Sequence, residues 1–461
     1  MVSAVRWIVS EVLDRKVRKN NIESPSNRAF FLHFCIMEKL FDLFYQSTGI
    51  CTDTRHIQAG SLFISLKGDN FNGNLFAQQA IDSGALFAIV DEDGYSDQQR
   101  IFQVSNSLEF LQKLARFHRD RFDIPVLGIT GSNGKTSTKE LINAVLSKKY
   151  KTLCTIGNLN NHIGVPLTLL RLTKEHEIAI IEMGANKPGD IAELCAIADP
   201  SHGIITNIGK AHLEGFINFE GVLKTKTELF ASILQKGGVL FACMDDAILM
   251  DACKKYPLPL ITFGSHENAL IVGEMKYLDP FVHFTWHNHD YHSPTLHTHL
   301  VGRYNFNNFL AAIAFGNIFQ VEPNEINEAI EGYIPQNNRS QVSKTLKNTV
   351  IVDCYNANPS SMKSALESFV DIQQNSKIAI LGDMLELGKE GKSEHQAILH
   401  FCKEHAIRFI TVGPIFKSLH PDGFENTQDL MDHWSNFEFE NNLILLKGSR
   451  GIALEKLLPL L

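Results

Sequence analysis

Val126-Leu127-Gly128-Ile129-Thr130-Gly131-Ser132-Asn133-Gly134-Lys135-Thr136 is the stretch on which the reading of this chain turns. A short apolar run passes into a glycine-containing turn and then into a helical pattern whose apolar face includes Leu141, Ile142 and Val145. Glycines in such a turn let backbone N–H groups approach phosphate oxygens closely, and a helix N-terminus favours negative charge. Lys135 supplies a mobile cation and Thr136 a hydroxyl able to ligate magnesium, so Gly131, Ser132, Asn133, Gly134, Lys135, Thr136 and Ser137 form a candidate triphosphate cradle. The usual P-loop carries a further glycine five residues before Gly134, where this chain has Ile129; the loop is a variant with glycines at 128 and 131.

Outward from the loop, strand-like apolar runs recur at residues 179–181, 203–205 and 239–242, with helical patterns between them. That alternation predicts a mostly parallel sheet covered by helices. The runs end in Glu182, Thr206-Asn207 and Asp245-Asp246, and in such sheets ligands sit beyond the carboxyl ends of the strands. Glu182 could hold the same magnesium as Thr136 from the opposite side, since this hard cation takes oxygen ligands. Taken alone, a Glu at a strand end is more often a solvated charge. His212 and Lys226 likewise carry no claim from spacing.

Two further α/β units flank this one. Before it, residues 52–123 show strand-like runs at 62–66, 86–90 and 101–104, with helical stretches at 76–83 and 108–117. After it, from about residue 335, runs at 350–352, 378–381, 409–412 and 443–446 end in Asp353, Gly382-Asp383, Gly413 and Lys447-Gly448-Ser449-Arg450. The segment Asp353-Cys354-Tyr355-Asn356-Ala357-Asn358-Pro359 is rich in hydrogen-bonding groups, and Arg339 and Arg450 could contact phosphate or carboxylate. For each arginine alone, a surface charge is the commoner explanation. The expected fold class is therefore α/β in three domains, with limits at 37–123, 124–334 and 335–461. Residues 1–36, with a basic cluster at 14–19 and a polar loop at 20–27, read as an atypical extension ahead of Met37; a helix packed on the first domain is the competing reading.

Composition narrows the function classes. A chain of 461 residues is too long for one core, and a net charge of −8 gives no whole-chain attraction to nucleic acid or an anionic membrane. The 8 cysteines contain no C-x-x-C pair, which argues against a zinc ribbon or disulfide framework and suits a reducing cytoplasm. No apolar run nears the ~18 residues a membrane span needs, and charged residues interrupt any signal-like core at the start. The histidines at 283, 287, 289, 292, 297 and 299 invite a metal reading, with His287 and His289 sharing one strand face and His297 and His299 another. Without nearby cysteine or supporting partners, a solvated hairpin is the better account.

Taken together, these segments resemble the Mur ligase family, and within it the branch that adds a D-alanyl-D-alanine dipeptide. The matching stretches run from about Met37 to Leu461 and include Thr52-Asp53-Thr54-Arg55, residues 60–73, the P-loop, residues 157–161, Glu182-Met183-Gly184-Ala185-Asn186 and residues 209–216. Asn305 to Asn308, Tyr355-Asn356-Ala357-Asn358-Pro359, residues 381–388 and Lys447-Gly448-Ser449-Arg450 continue the match. The P-loop marks only the superfamily; the Asn-Ala-Asn-Pro and Gly-Asp-Met-Leu-Glu-Leu-Gly segments are more specific.

The resemblance implies a small UDP-binding domain, a central P-loop ATPase domain and a Rossmann-like C-terminal domain. It implies catalytic roles for Lys135, His212 and Lys226. Thr136 and Glu182 would hold one magnesium ion, and His212 with a carbamylated Lys226 a second. Asn308, Arg339 and Asp353 would contact ATP, the last at its ribose. Substrate contacts would fall at Thr54, Arg55, Asn70 and Asn160, and further on at Tyr355, Asn356, Asn358 and Arg450. The implied substrates are UDP-N-acetylmuramoyl-tripeptide and D-alanyl-D-alanine, handled by a cytoplasmic monomer. Tyr304 departs from the family pattern, which more often has His there. A folylpolyglutamate-type ligase and a non-catalytic P-loop protein are the rival readings.

Overall fold

The computed structural model describes residues 37–97, 99–209, 213–216, 218–336, 338–374 and 376–461. They divide into two compact units, one reaching to residue 119 together with Leu169–Arg171, the other comprising residues 120–168 and 172–461.

The first unit is built on four parallel strands, in the order Ile50–Cys51, Leu62–Ile64, Phe87–Val90 and Ile101–Gln103. The middle strands read as near-continuous apolar runs because both of their faces are covered. The Ser107–Arg119 helix buries Phe110, Leu111, Leu114 and Ala115, the spacing of one helical face. Asp53 caps the short turn Thr54–His56 by accepting from Arg55 N.

The second unit carries two sheets. The larger has nine strands, and its parallel part runs in the order Thr152–Cys154, Ile178–Glu182, Val126–Thr130, His202–Ile205, Val239–Cys243, Leu260–Gly264 and Ile271–Leu278. The Val126–Thr130 strand lies inside the sheet, two strands from one edge, and all five of its residues are buried. Its later neighbours in sequence lie on opposite sides of it, so the sheet order reverses at its end, and crevices form at such points. One face is packed by the Lys135–Leu146 and Phe306–Ile318 helices, whose Leu141, Ile142, Phe309, Leu310 and Ile313 join a single core. Each fully buried side chain of this size contributes roughly 2 kcal/mol. Phe306–Ile318 is apolar on nearly every side, as a helix enclosed on all faces must be, and Phe315 stacks on Phe241 with ring centroids 3.7 Å apart.

Antiparallel strands Phe281–His287 and Leu296–Val301 extend this sheet as a hairpin. His283 is buried opposite His297, while His297 and His299 sit at exposed positions of their strand. The expectation that His287 and His289 share a strand face is corrected: the strand ends at His287, and His289 lies beyond it, its Nδ1 2.7 Å from the Asp290 carboxylate.

The smaller sheet runs Gln341–Lys344, Thr349–Asp353, Leu443–Lys447, Lys377–Gly382 and Arg408–Val412, parallel except for the first strand. Asp353 and Lys447 are register partners at adjacent strand ends. Separate apolar clusters fill the two faces of this sheet.

Candidate active site

The P-loop geometry follows from two glycines. At Gly131, with φ of 149°, an added Cβ would lie 1.9 Å from Thr206 Oγ1; at Gly134, φ of 78° opens the helix that begins at Lys135. The turn is stitched to the end of the neighbouring strand. Ser132 N donates to Asn207 O at 3.0 Å, Asn133 N to Asn207 Oδ1 at 3.0 Å, and Thr206 Oγ1 to Asn133 O at 2.6 Å. Thr206 and Asn207 were visible in the sequence as polar residues ending a strand, but only the fold shows that they hold the loop.

Lys135 Nζ donates to Gly131 O at 2.9 Å. Desolvation lowers its pKa, Glu182 opposes that shift, and the positive charge of Arg339 adds to it. Thr136 Oγ1 lies 3.0 and 3.2 Å from the two carboxylate oxygens of the buried Glu182. Ile129 pairs with Glu182 across the sheet, which brings the carboxylate beside the loop. Asn160 Nδ2 donates to Glu182 Oε1 at 2.8 Å, and Glu182 N to Thr155 Oγ1 at 3.0 Å, so the acid is held from two sides. A hydroxyl and a carboxylate converging in a buried corner are hard oxygen donors, and this set fits a magnesium ion.

Lys226 projects from the Phe219–Lys236 helix and is only 2% exposed. Burial, then the nearby charge of Lys135, pushes its amine well below the usual lysine range. Among the described residues no carboxylate pairs with it. A buried ammonium without a counter-charge is costly, and burial therefore favours the neutral, nucleophilic amine at this position. His212 lies outside the described residues.

The smaller sheet completes the cavity. Asn358 caps the Pro359–Asp371 helix by accepting from Ser361 N, and its Nδ2 donates to Asn133 Oδ1 at 2.8 Å. Asn133 Nδ2 in turn donates to Ser360 Oγ at 3.0 Å. Lys447 Nζ donates to Asp353 Oδ2 at 2.7 Å, and Ser340 N to Asp353 Oδ1 at 3.1 Å. The carbonyl of Asn356 also accepts from Lys447. Asn308 Oδ1 accepts from Thr138 Oγ1 at 3.0 Å, and Asn308 Nδ2 donates to Asn305 Oδ1 at 2.8 Å. Tyr304, at the position that departs from the family pattern, places its hydroxyl 2.8 Å from Ser340 Oγ, and burial followed by the charge of Asp353 drives its pKa well up. Nothing in the sequence singled out Thr138, Ser340 or Ser360, because each acts through a partner more than thirty residues away.

The result is a cavity of about 640 Å³ lined by Ser132, Asn133, Gly134 and Lys135, by Asn160 and Glu182, and by Asn308, Arg339, Asp353, Tyr355, Asn356 and Asn358. Arg450 is exposed at its margin, 5.5 Å from the Tyr355 ring. Thr54, Arg55 and Asn70 belong to the first unit, where Arg55 Nε and Nη2 donate to the Asp53 carboxylate and Asn70 is exposed.

A P-loop at a sheet reversal, an acid against its threonine and a second sheet closing the cavity mark an enzyme that works on a nucleoside triphosphate. Comparison with known proteins sharpens that class. Residues 46–119 match the model of the Mur ligase family, catalytic domain, residues 129–316 that of the Mur ligase middle domain, and residues 338–450 that of the Mur ligase, glutamate ligase domain. The chain is 33% identical over 426 residues to the UDP-N-acetylmuramoyl-tripeptide–D-alanyl-D-alanine ligase of Bacillus subtilis, covering 89% of this chain and 92% of that protein. A crystal structure of MurF from Acinetobacter baumannii superposes with a TM-score of 0.82 at 29% identity, covering 92% of this chain and 97% of that one. MurF from Thermotoga maritima in complex with ADP gives a TM-score of 0.80 at 26% identity, over 91% and 97% of the two chains. This chain belongs to the Mur ligase family of ATP-dependent ligases.

Proposed function

We propose that this chain joins D-alanyl-D-alanine to the terminal carboxylate of UDP-N-acetylmuramoyl-tripeptide, at the expense of ATP, in the synthesis of peptidoglycan precursors. The observation that carries the reading is the meeting of Thr136 and Glu182 beside Lys135, in a cavity whose far wall is the Asp353 to Asn358 segment. The names of the relatives supply the substrates.

A carboxylate resists an amine because it is anionic and lacks a leaving group. Its oxygen attacks the γ-phosphorus of ATP, the bond to ADP breaks, and an acyl phosphate forms. The dipeptide amine then attacks the acyl carbon, loses a proton and expels phosphate. Lys135 and the loop N–H groups would bind the β- and γ-phosphates and offset the charge that develops on them. Thr136 and Glu182 would hold one magnesium ion, and His212 with a carbamylated Lys226 a second; when bound, these ions neutralise phosphate charge. Asn308, Arg339 and Asp353 would position the nucleotide. Thr54, Arg55, Asn70, Asn160, Tyr355, Asn356, Asn358 and Arg450 are proposed for the other substrates, and the domain limits at 123/124 and 334/335 belong to the same reading. Among the described residues no helix is long and apolar enough to cross a membrane. A monomer acting in the cytoplasm belongs to the same proposal.

The test is phosphate release and amide product measured with each substrate omitted in turn. Turnover that requires both the UDP-tripeptide and D-alanyl-D-alanine supports the reading. Product with a folate and glutamate, or slow hydrolysis indifferent to both substrates, would replace it.

A further inference from the structure

We propose that Tyr355 is a positioning residue for the nucleotide: the face of its ring holds Arg339 across the cavity while leaving the edge of the guanidinium free for phosphate. This rests on the ATP-binding part of the function proposed above.

The guanidinium carbon of Arg339 sits 3.9 Å from the Tyr355 ring centroid, within direct stacking distance. The backbone on either side is turned sharply, since Asn338 and Ser340 both have left-handed φ values, 50° and 49°. Tyr355 N donates to Asn338 O at 3.3 Å and Asp353 accepts from Ser340 N, so the segment carrying Arg339 is fastened at both ends to the strand end that bears Tyr355. Such strain persists where the surroundings enforce it. Nε of Arg339 is buried and has no hydrogen-bond partner among the described residues. Arg339 and Tyr355 line the same cavity as Lys135.

Chemistry explains why a ring is better here than an acid. A carboxylate partner would occupy the in-plane N–H donors of Arg339 and cancel its charge. An aromatic face attracts the cation through its quadrupole and leaves every in-plane donor available for bidentate contact with phosphate. Tyr355 therefore orients the arginine without competing for it. The substrate contact that the resemblance implies for Tyr355 is a separate role, and the variants below separate the two.

The experiment titrates a non-hydrolysable ATP analogue into the full chain by calorimetry and measures KM for each substrate. Tyr355→Phe, which keeps the ring face, should bind the analogue within about twofold of the native chain, whereas Tyr355→Leu should bind ~5-fold more weakly, a loss larger than any change in KM for D-alanyl-D-alanine. In an Arg339→Met background, Tyr355→Leu should have no further effect on analogue binding. Arg339→Lys, which keeps the charge but loses the planar stack, should weaken binding several-fold and serves if Tyr355→Leu lowers the unfolding midpoint. Additive effects of the two substitutions, a Phe variant as weak as the Leu variant, native-like binding by Arg339→Lys, or a change confined to the dipeptide KM would overturn the proposal. Failure of the native chain to bind the analogue would instead sink the ATP-binding reading.

Discussion

Asn358 Nδ2 donates to Asn133 Oδ1 at 2.8 Å, a side-chain bond that ties the first turn of the Pro359–Asp371 helix to the P-loop. The other end of the same amide accepts from Ser361 N, so one residue caps its helix and docks it on the loop. Asn358→Ser should separate the two tasks, because serine caps nearly as well but is too short to reach Asn133. Stability should fall by no more than about 1 kcal/mol, the worth of one net hydrogen bond, while kcat/KM falls about fivefold because the loop is less well held. Steady-state kinetics with thermal unfolding would show it. Combined with Asn133→Ala, the losses should be less than additive; strict additivity would mean that the two residues act independently.

Among the described residues, Lys135 bonds only to carbonyls of its own loop. Its removal breaks no ion pair among the described residues, so Lys135→Ala should leave the unfolding midpoint close to native while turnover falls by ~10²-fold or more. Glu182→Gln should behave differently: it keeps the size but loses charge against Thr136, and should raise the magnesium concentration needed for half-maximal rate. Titrating magnesium after treatment with a chelator distinguishes the two, and an unaltered magnesium curve would remove Glu182 from the metal site.

Lys226 presents a buried amine with no carboxylate beside it among the described residues. Lys226→Ala should abolish turnover, and formate or acetate at high concentration should restore part of it by supplying the missing anion. Full activity without rescue would exclude the residue from the reaction.

His202 tests the packing of the central sheet. Burial lowers its pKa from 6.5 to about 4, against the rings of Phe319 and Phe241. The folded value lies below the unfolded one, so the unfolded chain takes up the proton first as pH falls. The stability contributed by the neutral ring is complete above about pH 6.5 and is lost between there and pH 4. The loss should be about 2 kcal/mol, after allowance for the part of the ring that water reaches. His202→Gln should flatten urea-unfolding stability over this window; an unchanged slope would show that another group titrates.

How far the sequence carried depends on the range of each signal. The strand–loop–helix around Gly131 to Thr136 was readable because glycine placement and the change from strand to helical periodicity are local signals, although the loop's partners lie far along the chain. Glu182 was readable too, since carboxyl ends of parallel strands converge wherever the sheet forms. The histidine hairpin was recognised, but its first strand was carried two residues too far, to His289, because the alternation of side chains does not mark where a strand stops. Lys226 shows the limit: in sequence it is one lysine on an amphipathic helix, and its burial beside Lys135 emerges only from packing.

Local chemistry along the chain determined the element types, the phosphate-gripping turn and the acids and amines available to it, since periodicity and turn preference act over a few residues. Which of those groups meet was decided by sheet order and by the packing of the smaller sheet on the larger one. Asn133 with Asn358, Arg339 with Tyr355 and Tyr304 with Ser340 are brought together by many weak apolar contacts summed over two cores, and no single stretch of sequence encodes that sum.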